Sequence, residues 1–335
     1  MVEAMTNRLK QHLEQAGWPA AGARVWQEVP NASVKCEEVS VVQFNILAHG
    51  LSCKESDWGG FDQVPTDWLD FDVRKQRLLE HILDTNGDIV CLEECDHFSD
   101  WFAPQLEECG YTGTFLKKVQ SPCLRYIPTL EDGCAIFWKR DKWEATRVLE
   151  HNYQGQNQML LAVEFVSKTS DSRLVVASTH LAAAKTAEGA SQREGQVLEL
   201  VAVLNKEFPK TTPIVLCGDF NASPKEAAFS AAVTSCLDLC SAYGARRAGV
   251  LPGEAAAAEP PYTTWKLRGD KESRHTIDYI FYTPERLIEC TRVLQLPGEA
   301  DIPPPRLPSQ RFASDHLLLA ATFALQGPSS SSSRM

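Results

Sequence analysis

From about Val39 onward, short runs of Val, Ile, Leu and Phe alternate with stretches whose apolar residues recur every three or four positions. The first pattern fits buried strands and the second fits amphipathic helices. "VSVVQFNIL" (39–47) predicts a strand ending at Asn45, and "DIVCLEEC" (88–95) a strand ending in acids. "CAIFWK" (134–139), "LLAVEFV" (160–166) and "RLVVASTH" (173–180) predict three more. "PIVLCGDFN" (213–221), "HTIDYIFYT" (275–283) and "HLLLAATFAL" (316–325) complete the clear strands. Helices are expected over 73–86, with Gly87 as the stop, over 190–207, and from Pro224 onward. The first 18 residues read as a short amphipathic helix, 244–261 as a long small-residue loop, and the Ser-rich end as disordered. The organisation is therefore an α/β domain over 36–326, a helical or flexible segment over 1–35, and a disordered tail over 327–335.

Several of these strands end in a polar residue able to bind a metal or a proton: Asn45, Glu94, His180, and Asp219 with Asn221, while Asp315-His316 stands just before the last strand. Asp278 occupies the equivalent place in "HTIDYIFYT". The recurrence suggests that strand ends gather these side chains at one rim of a sheet, on a rigid scaffold. Glu93 and Glu94 are neighbours on a strand and face opposite ways, so only one of them can serve a site. Asp219 and Asn221 stand two apart, which in an extended chain puts both on one face. The competing reading of that stretch is an Asx-rich turn leading into the next helix.

Carboxylates and amide oxygens suit a hard cation such as Mg²⁺, with Mn²⁺ as an alternative. Two histidines can donate to a phosphoryl group or move protons. Asp219 can orient or deprotonate a water, and Asn221 can hold it. Together the set describes metal-dependent hydrolysis of a phosphate ester, and neither a G-x-S-x-G nor a Walker A sequence competes with it.

The net charge of -11 argues against a surface given over wholly to nucleic acid but permits a local basic pocket. Eleven cysteines, an odd number with several inside apolar runs, read as reduced thiols and not as a disulfide framework. Cys91, Cys95 and His97 lack the second pair that a zinc site needs. No apolar run reaches the roughly 18 residues of a membrane span. A cytoplasmic monomer is expected, with nucleus and mitochondrion left open.

"QFNIL", "CLEE", "DGCAIF", "STHL", "CGDFNASP", "HTIDYIFY" and "SDHL" occur here in the order seen in the endonuclease/exonuclease/phosphatase superfamily, which the chain resembles over about 39–325. "PPYTTWK" followed by "RHTIDYI" resembles its deadenylase-related branch. The resemblance implies a DNase I-like α/β (α+β) fold: a four-layer sandwich of two packed, mixed, largely antiparallel β-sheets flanked by helices, with the site at one edge. It implies Glu94 as the principal Mg²⁺ ligand, with Asn45 beside it and Asp315 supporting the metal side. Asp219 would activate the water, Asn221 position it, and His180 stabilise the phosphoryl charge. His316 would contact the scissile phosphate while Asp278 fixes its ring. The implied substrate is the 2′-phosphate of NADP⁺ and NADPH, gripped by Lys118, Lys185, Arg268 and Arg274. The alternative is 3′-exoribonuclease action on poly(A) RNA with the same residues, and a non-enzymatic binding module is the third reading. One departure stands out. Where the family reads Thr-His-Leu-Lys-Ala-Arg, this chain has "THLAAAK", so Lys185 lies one place beyond the arginine and lacks its bidentate fork.

Overall fold

The computed structural model describes every residue except 23, 30–36, 55–59, 245–254, 285, 287 and 326–335. Two sheets pack face to face. The first runs Trp26–Glu28, Ile288–Leu294, Leu319–Leu325, Glu37–Asn45, Ile89–Glu93, Gly133–Lys139 and Tyr111–Lys117, in that spatial order. The second runs Cys240–Ser241, Asp278–Tyr282, Ile214–Asp219, Arg173–His180, Met159–Ser167 and Trp143–Asn152. Side chains from both inner faces, among them Val41, Ile136, Val176, Val215 and Phe323, interdigitate into one apolar core. The outer face of the first sheet is covered by the helices Val2–Gln15 and Phe71–Thr85, through Met5, Leu9, Leu79 and Ile82. The outer face of the second is covered by Ala187–Glu207 and Ala227–Val233, through Val197, Leu200 and Phe229. The four-layer expectation holds.

Pairing is antiparallel except once in each sheet. Glu37–Asn45 lies parallel to Ile89–Glu93, and Arg173–His180 lies parallel to Ile214–Asp219. A parallel pair needs a crossover, and the helices Phe71–Thr85 and Ala187–Glu207 supply the two. The registers place Asn45 beside Glu93, and His180 beside Asp219. The carboxyl ends of four central strands therefore open on one rim. Asp278 joins them because its strand starts opposite Asp219. His316 joins them from the loop that feeds Leu319–Leu325, which pairs from Gln43.

Several elements differ from the sequence expectation. Trp143–Asn152 is an edge strand exposed along most of its length, so its sequence "WEATRVLEHN" carries no apolar alternation. In "HTIDYIFYT" the core strand begins only at Asp278. His275 instead closes a separate hairpin, Thr264–Arg268 with Lys271–His275. The helix expected from Pro224 starts at Ala227, after Glu226. Within 244–261, Ala255–Ala258 forms a helical turn. The rest of that loop up to residue 254, and the tail, lie outside the described residues apart from Gly244. Trp26–Glu28 pairs with Ile288–Leu294, so the N-terminal segment contributes an edge strand as well as a packed helix.

Gly218, in the strand that ends at Asp219, lies beside Thr179 of the neighbouring strand, and a Cβ built on it would stand 2.1 Å from the Thr179 carbonyl oxygen. Any side chain there must push apart the two strands that carry Asp219 and His180. Gly218→Ala is expected to cost about 1–3 kcal/mol, as overpacking of a filled core does. Urea unfolding of the two proteins checks this.

Candidate active site

The rim residues form a connected set. Asn45 ends its strand with Oδ1 accepting from the Leu47 amide at 3.1 Å. Its Nδ2 donates to Glu94 Oε1 at 3.1 Å and to Asp219 Oδ2 at 3.0 Å. Glu94 lies one residue past the strand, at φ 56, and its other carboxylate oxygen accepts from the Ala48 amide at 3.2 Å. Its neighbour Glu93 points the opposite way, between the sheets. There Ser178 Oγ donates to one carboxyl oxygen at 2.7 Å and Gln43 Nε2 to the other at 2.8 Å. Burial raises the Glu93 carboxyl well above its ordinary value, beyond what those two donors offset.

Asp219 is buried and receives the Asn221 amide N–H on Oδ1 at 2.8 Å. That bond is an Asx turn, and Asn221 follows at φ 50. The two residues therefore meet through a turn and not through strand alternation, and the Asx-turn reading of "GDFN" is the one that describes this stretch. Two histidines approach Asp219 Oδ2: His180 Nε2 at 3.6 Å and His316 Nε2 at 3.8 Å. Their surroundings shift them in opposite directions. Burial pushes His180 down to about 4, helped by the nearby Lys118 ammonium. Burial also opposes charge on His316, but Asp278 and Asp315 outweigh it and raise the imidazole to about 9. Asp278 accepts from His316 Nδ1 through both oxygens, at 3.0 and 2.9 Å, and is itself held by Thr263 Oγ1 at 2.5 Å. His316 Nε2 is thus a charged donor facing the rim.

The expected substrate cations divide. Lys118 is buried and paired with Asp132 at 2.5 Å; burial works against its charge, and Asp132 and Glu94 raise it above its ordinary value. Arg268 reaches Asp315 Oδ2 at 3.4 Å with its guanidinium over the Phe61 ring at 4.2 Å. Lys185 donates to Asn221 rather than standing free. Arg274 is not brought to the cluster: it pairs with Glu299 and lies over Tyr262 and Trp265, at 4.5 Å from each ring centre. Asp315, expected on the metal side, has its carboxylate taken by Lys266 and Arg268. Burial would lift its pKa, and the two cations instead hold it far below the carboxylate range.

Lys266 was missed by the sequence reading. Its Nζ sits 3.5 Å from His316 Nε2, and its place two residues before Arg268 in a strand, hence on the same face, was the available signal. Arg74 was also missed. It is fully buried and donates to the carbonyls of Ile46 (3.3 Å), Leu47 (2.9 Å) and Ala313 (2.8 Å), which ties the Asn45 loop to the His316 loop. A cation at a helix position four before Leu78, on the core-facing stripe, was its signal.

Possible ligand atoms of Glu94, His180 and Asp219 lie within 4.8 Å of one another, as do those of Asp219, Asp278 and His316. The second group is committed to the imidazolium. The first suits a hard cation, because the Glu94 and Asp219 carboxylates lie close together and converge on a single amide. Glu94 and Asp219 are the carboxylates that fit such an ion, whereas Asn45, expected beside the metal, turns its NH₂ towards both of them and its oxygen to the Leu47 amide.

A profile of the endonuclease/exonuclease/phosphatase family matches residues 42–316, from the strand carrying Asn45 to His316 itself. This chain belongs to the endonuclease/exonuclease/phosphatase family. Within it, nocturnin of Drosophila melanogaster is 37% identical over 320 residues, 90% of this chain and 49% of that protein. Nocturnin of Xenopus laevis is 37% identical over 289 residues, 85% of this chain and 72% of that protein. The chain spans about half to two thirds of the length of most of the nocturnins it matches. The human nocturnin catalytic domain with bound sulfate superposes with a TM-score of 0.71 at 31% identity, over 90% of this chain and 97% of that one. The activities that give the family its name, endonuclease, exonuclease and phosphatase, are all hydrolyses of phosphate esters. Among the described residues, no helix is long and apolar enough to cross a membrane.

The folded His316 imidazole titrates at about 9, above its ordinary 6.5. Its ion pairs therefore stabilise this family member fully below about pH 6.5, and the contribution is lost as pH rises through about 9. In Asp278→Asn the largest charge raising that imidazole is gone, and burial then dominates. NMR titration of the ring is expected to show a midpoint near 9 in the wild type and one well below it in the variant. Equal midpoints would refute the pairing.

Proposed function

We propose that this chain removes the 2′-phosphate of NADP⁺ and NADPH, with Mg²⁺ as its metal. The observation that carries the reading is the compactness of the basic grip. Lys266 and Arg268 share one carboxylate, Asp315, and Lys266 stands within 3.5 Å of the His316 donor. A groove that tracks a nucleic-acid strand needs spread cations and open aromatic faces. Here the nearby rings are buried, with Phe61 under Arg268, and Trp265 contacted by both Arg274 and Arg306. The overall charge of -11 points the same way.

In this reading Glu94 and Asp219 would hold the metal, which would supply charge to offset that developing on the phosphoryl oxygens, and Asn45 orients the two carboxylates. Asn221 holds a water and Asp219 takes its proton as the oxygen attacks phosphorus. His316 Nε2–H donates to a phosphoryl oxygen, with Asp278 keeping the ring charged and oriented. His180, neutral, adds a second donor without a second charge. The P–O bond to the ribose 2′ oxygen breaks, that oxygen takes up a proton from solvent while Asp219 returns its own to solvent, and inorganic phosphate leaves. Lys118 and Arg268 hold the remainder of the dinucleotide.

The second reading is 3′-exoribonuclease action on poly(A). It is favoured by a 24% identical relative, the Saccharomyces cerevisiae CCR4-Not subunit described as a 3′-5′-exoribonuclease. Purified protein incubated with NADPH and Mg²⁺ is expected to release phosphate and NADH in equal amounts. Shortening of oligo(A) with no phosphate from NADPH would replace the first reading with the second. Glu94→Ala is expected to lower metal-dependent turnover at least about 100-fold while the melting temperature holds. An undiminished rate would remove Glu94 from the metal set.

A further inference from the structure

The chain from Leu181 to Thr186 leaves the strand Arg173–His180 and is fastened from behind. Arg193 Nη1 donates to the carbonyls of Ala182 (3.1 Å) and Ala184 (2.7 Å), and Gln196 Oε1 accepts from the Ala182 amide at 3.0 Å. Arg193 is in turn held by Glu226 at 2.6 Å, and Glu226 also receives the Ser223 amide at 2.9 Å. With its backbone fixed in this way, the segment turns Lys185 back onto Asn221. Lys185 Nζ donates to the Asn221 carbonyl oxygen at 3.0 Å and to its side-chain Oδ1 at 3.2 Å. At the other end of the amide, Nδ2 donates to the Leu181 carbonyl at 3.1 Å.

These two contacts are chemically exclusive. An ammonium has no acceptor, so only the oxygen end of an amide can face it. A carbonyl oxygen has no donor, so only the nitrogen end can face Leu181. An asparagine beside one partner can turn end for end, but between these two partners only one orientation satisfies both. Asn221 also sits in the left-handed region at φ 50 with its N–H on Asp219, so its Oδ1 is fixed relative to the carboxylate that takes the proton.

We propose that Lys185 is a positioning residue that locks the Asn221 amide, and not a ligand for the dinucleotide diphosphate as its spacing from His180 suggests. Two of its three N–H donors are already committed to Asn221. The inference rests on the proposed chemistry only in requiring that Asn221 hold the attacking water, a role common to the phosphatase and the exoribonuclease readings.

Steady-state kinetics of wild type, Lys185→Met and Lys185→Arg on NADPH and on adenosine 2′-monophosphate, which lacks the diphosphate, test it. Lys185→Met is expected to lower kcat about tenfold on both substrates, the loss of one charge-assisted hydrogen bond, with KM within about twofold. Lys185→Arg is expected to recover part of that loss. A rise in KM for NADPH alone, with kcat unchanged and adenosine 2′-monophosphate unaffected, would make Lys185 a diphosphate ligand and overturn the proposal. If the wild type turns over neither substrate, the proposed substrate fails, and the same kcat loss is then sought on oligo(A). Nitrogen-15 NMR reads the lock without turnover. The Asn221 side-chain NH₂ signals, assigned by their loss in Asn221→Asp, are expected to move in Lys185→Met, and unmoved signals would overturn the proposal.

Discussion

Each sheet switches once from antiparallel to parallel pairing, and the site lies where the two switches open on the same rim. In the first sheet the register sets Asn45 level with Glu93, and in the second it sets His180 level with Asp219. Everything chemical depends on that alignment, because it fixes four strand ends without the help of long loops. The antiparallel neighbours then deliver Asp278 and His316 to the same place. A slip of one residue in either parallel pair would turn these side chains into the apolar core and the core residues out. The Thr179 carbonyl pressed against Gly218 shows how little clearance that register leaves.

Charge at the rim is arranged so that few groups stand alone. His316 is kept protonated by Asp278, and His180 is kept neutral by burial beside Lys118. Two chemically identical rings thus offer different functions a few ångströms apart, the usual outcome when environments push pKa values in opposite directions. Beneath them, Glu93 shares Gln43 with Asp278, so a buried polar chain links the inter-sheet core to the imidazolium. Buried networks of this kind are costly unless satisfied, and Ser178 and Gln43 supply a donor to each Glu93 carboxyl oxygen.

The acid and histidine set was legible in the sequence because strand ends announce themselves: an apolar run stops and one polar residue follows. Asn45, Glu94, His180 and Asp219 were found that way. Other features followed different physics. Asn221 comes beside Asp219 through a turn, which the alternation argument did not describe. Trp143–Asn152 has solvent along most of its length and leaves no apolar rhythm to detect. Cations are harder still, since a long flexible stem lets Arg274 and Arg268, six residues apart, end beside different partners. Which acid a lysine or arginine finds is set by tertiary packing and not by local spacing.

Asp315 gives the basic hairpin a property that bare cations would lack. With Lys266 and Arg268 already resting on one buried carboxylate, a phosphate arriving as the proposed function requires would meet no unscreened field and would exchange one counter-ion for another. The gain on capture is then a small difference between two similar ion pairs, and the same holds in reverse for the departing product. Under that function occupancy would be self-limiting: the carboxylate would compete for its own cations after every turnover, which favours rapid clearance over tight retention.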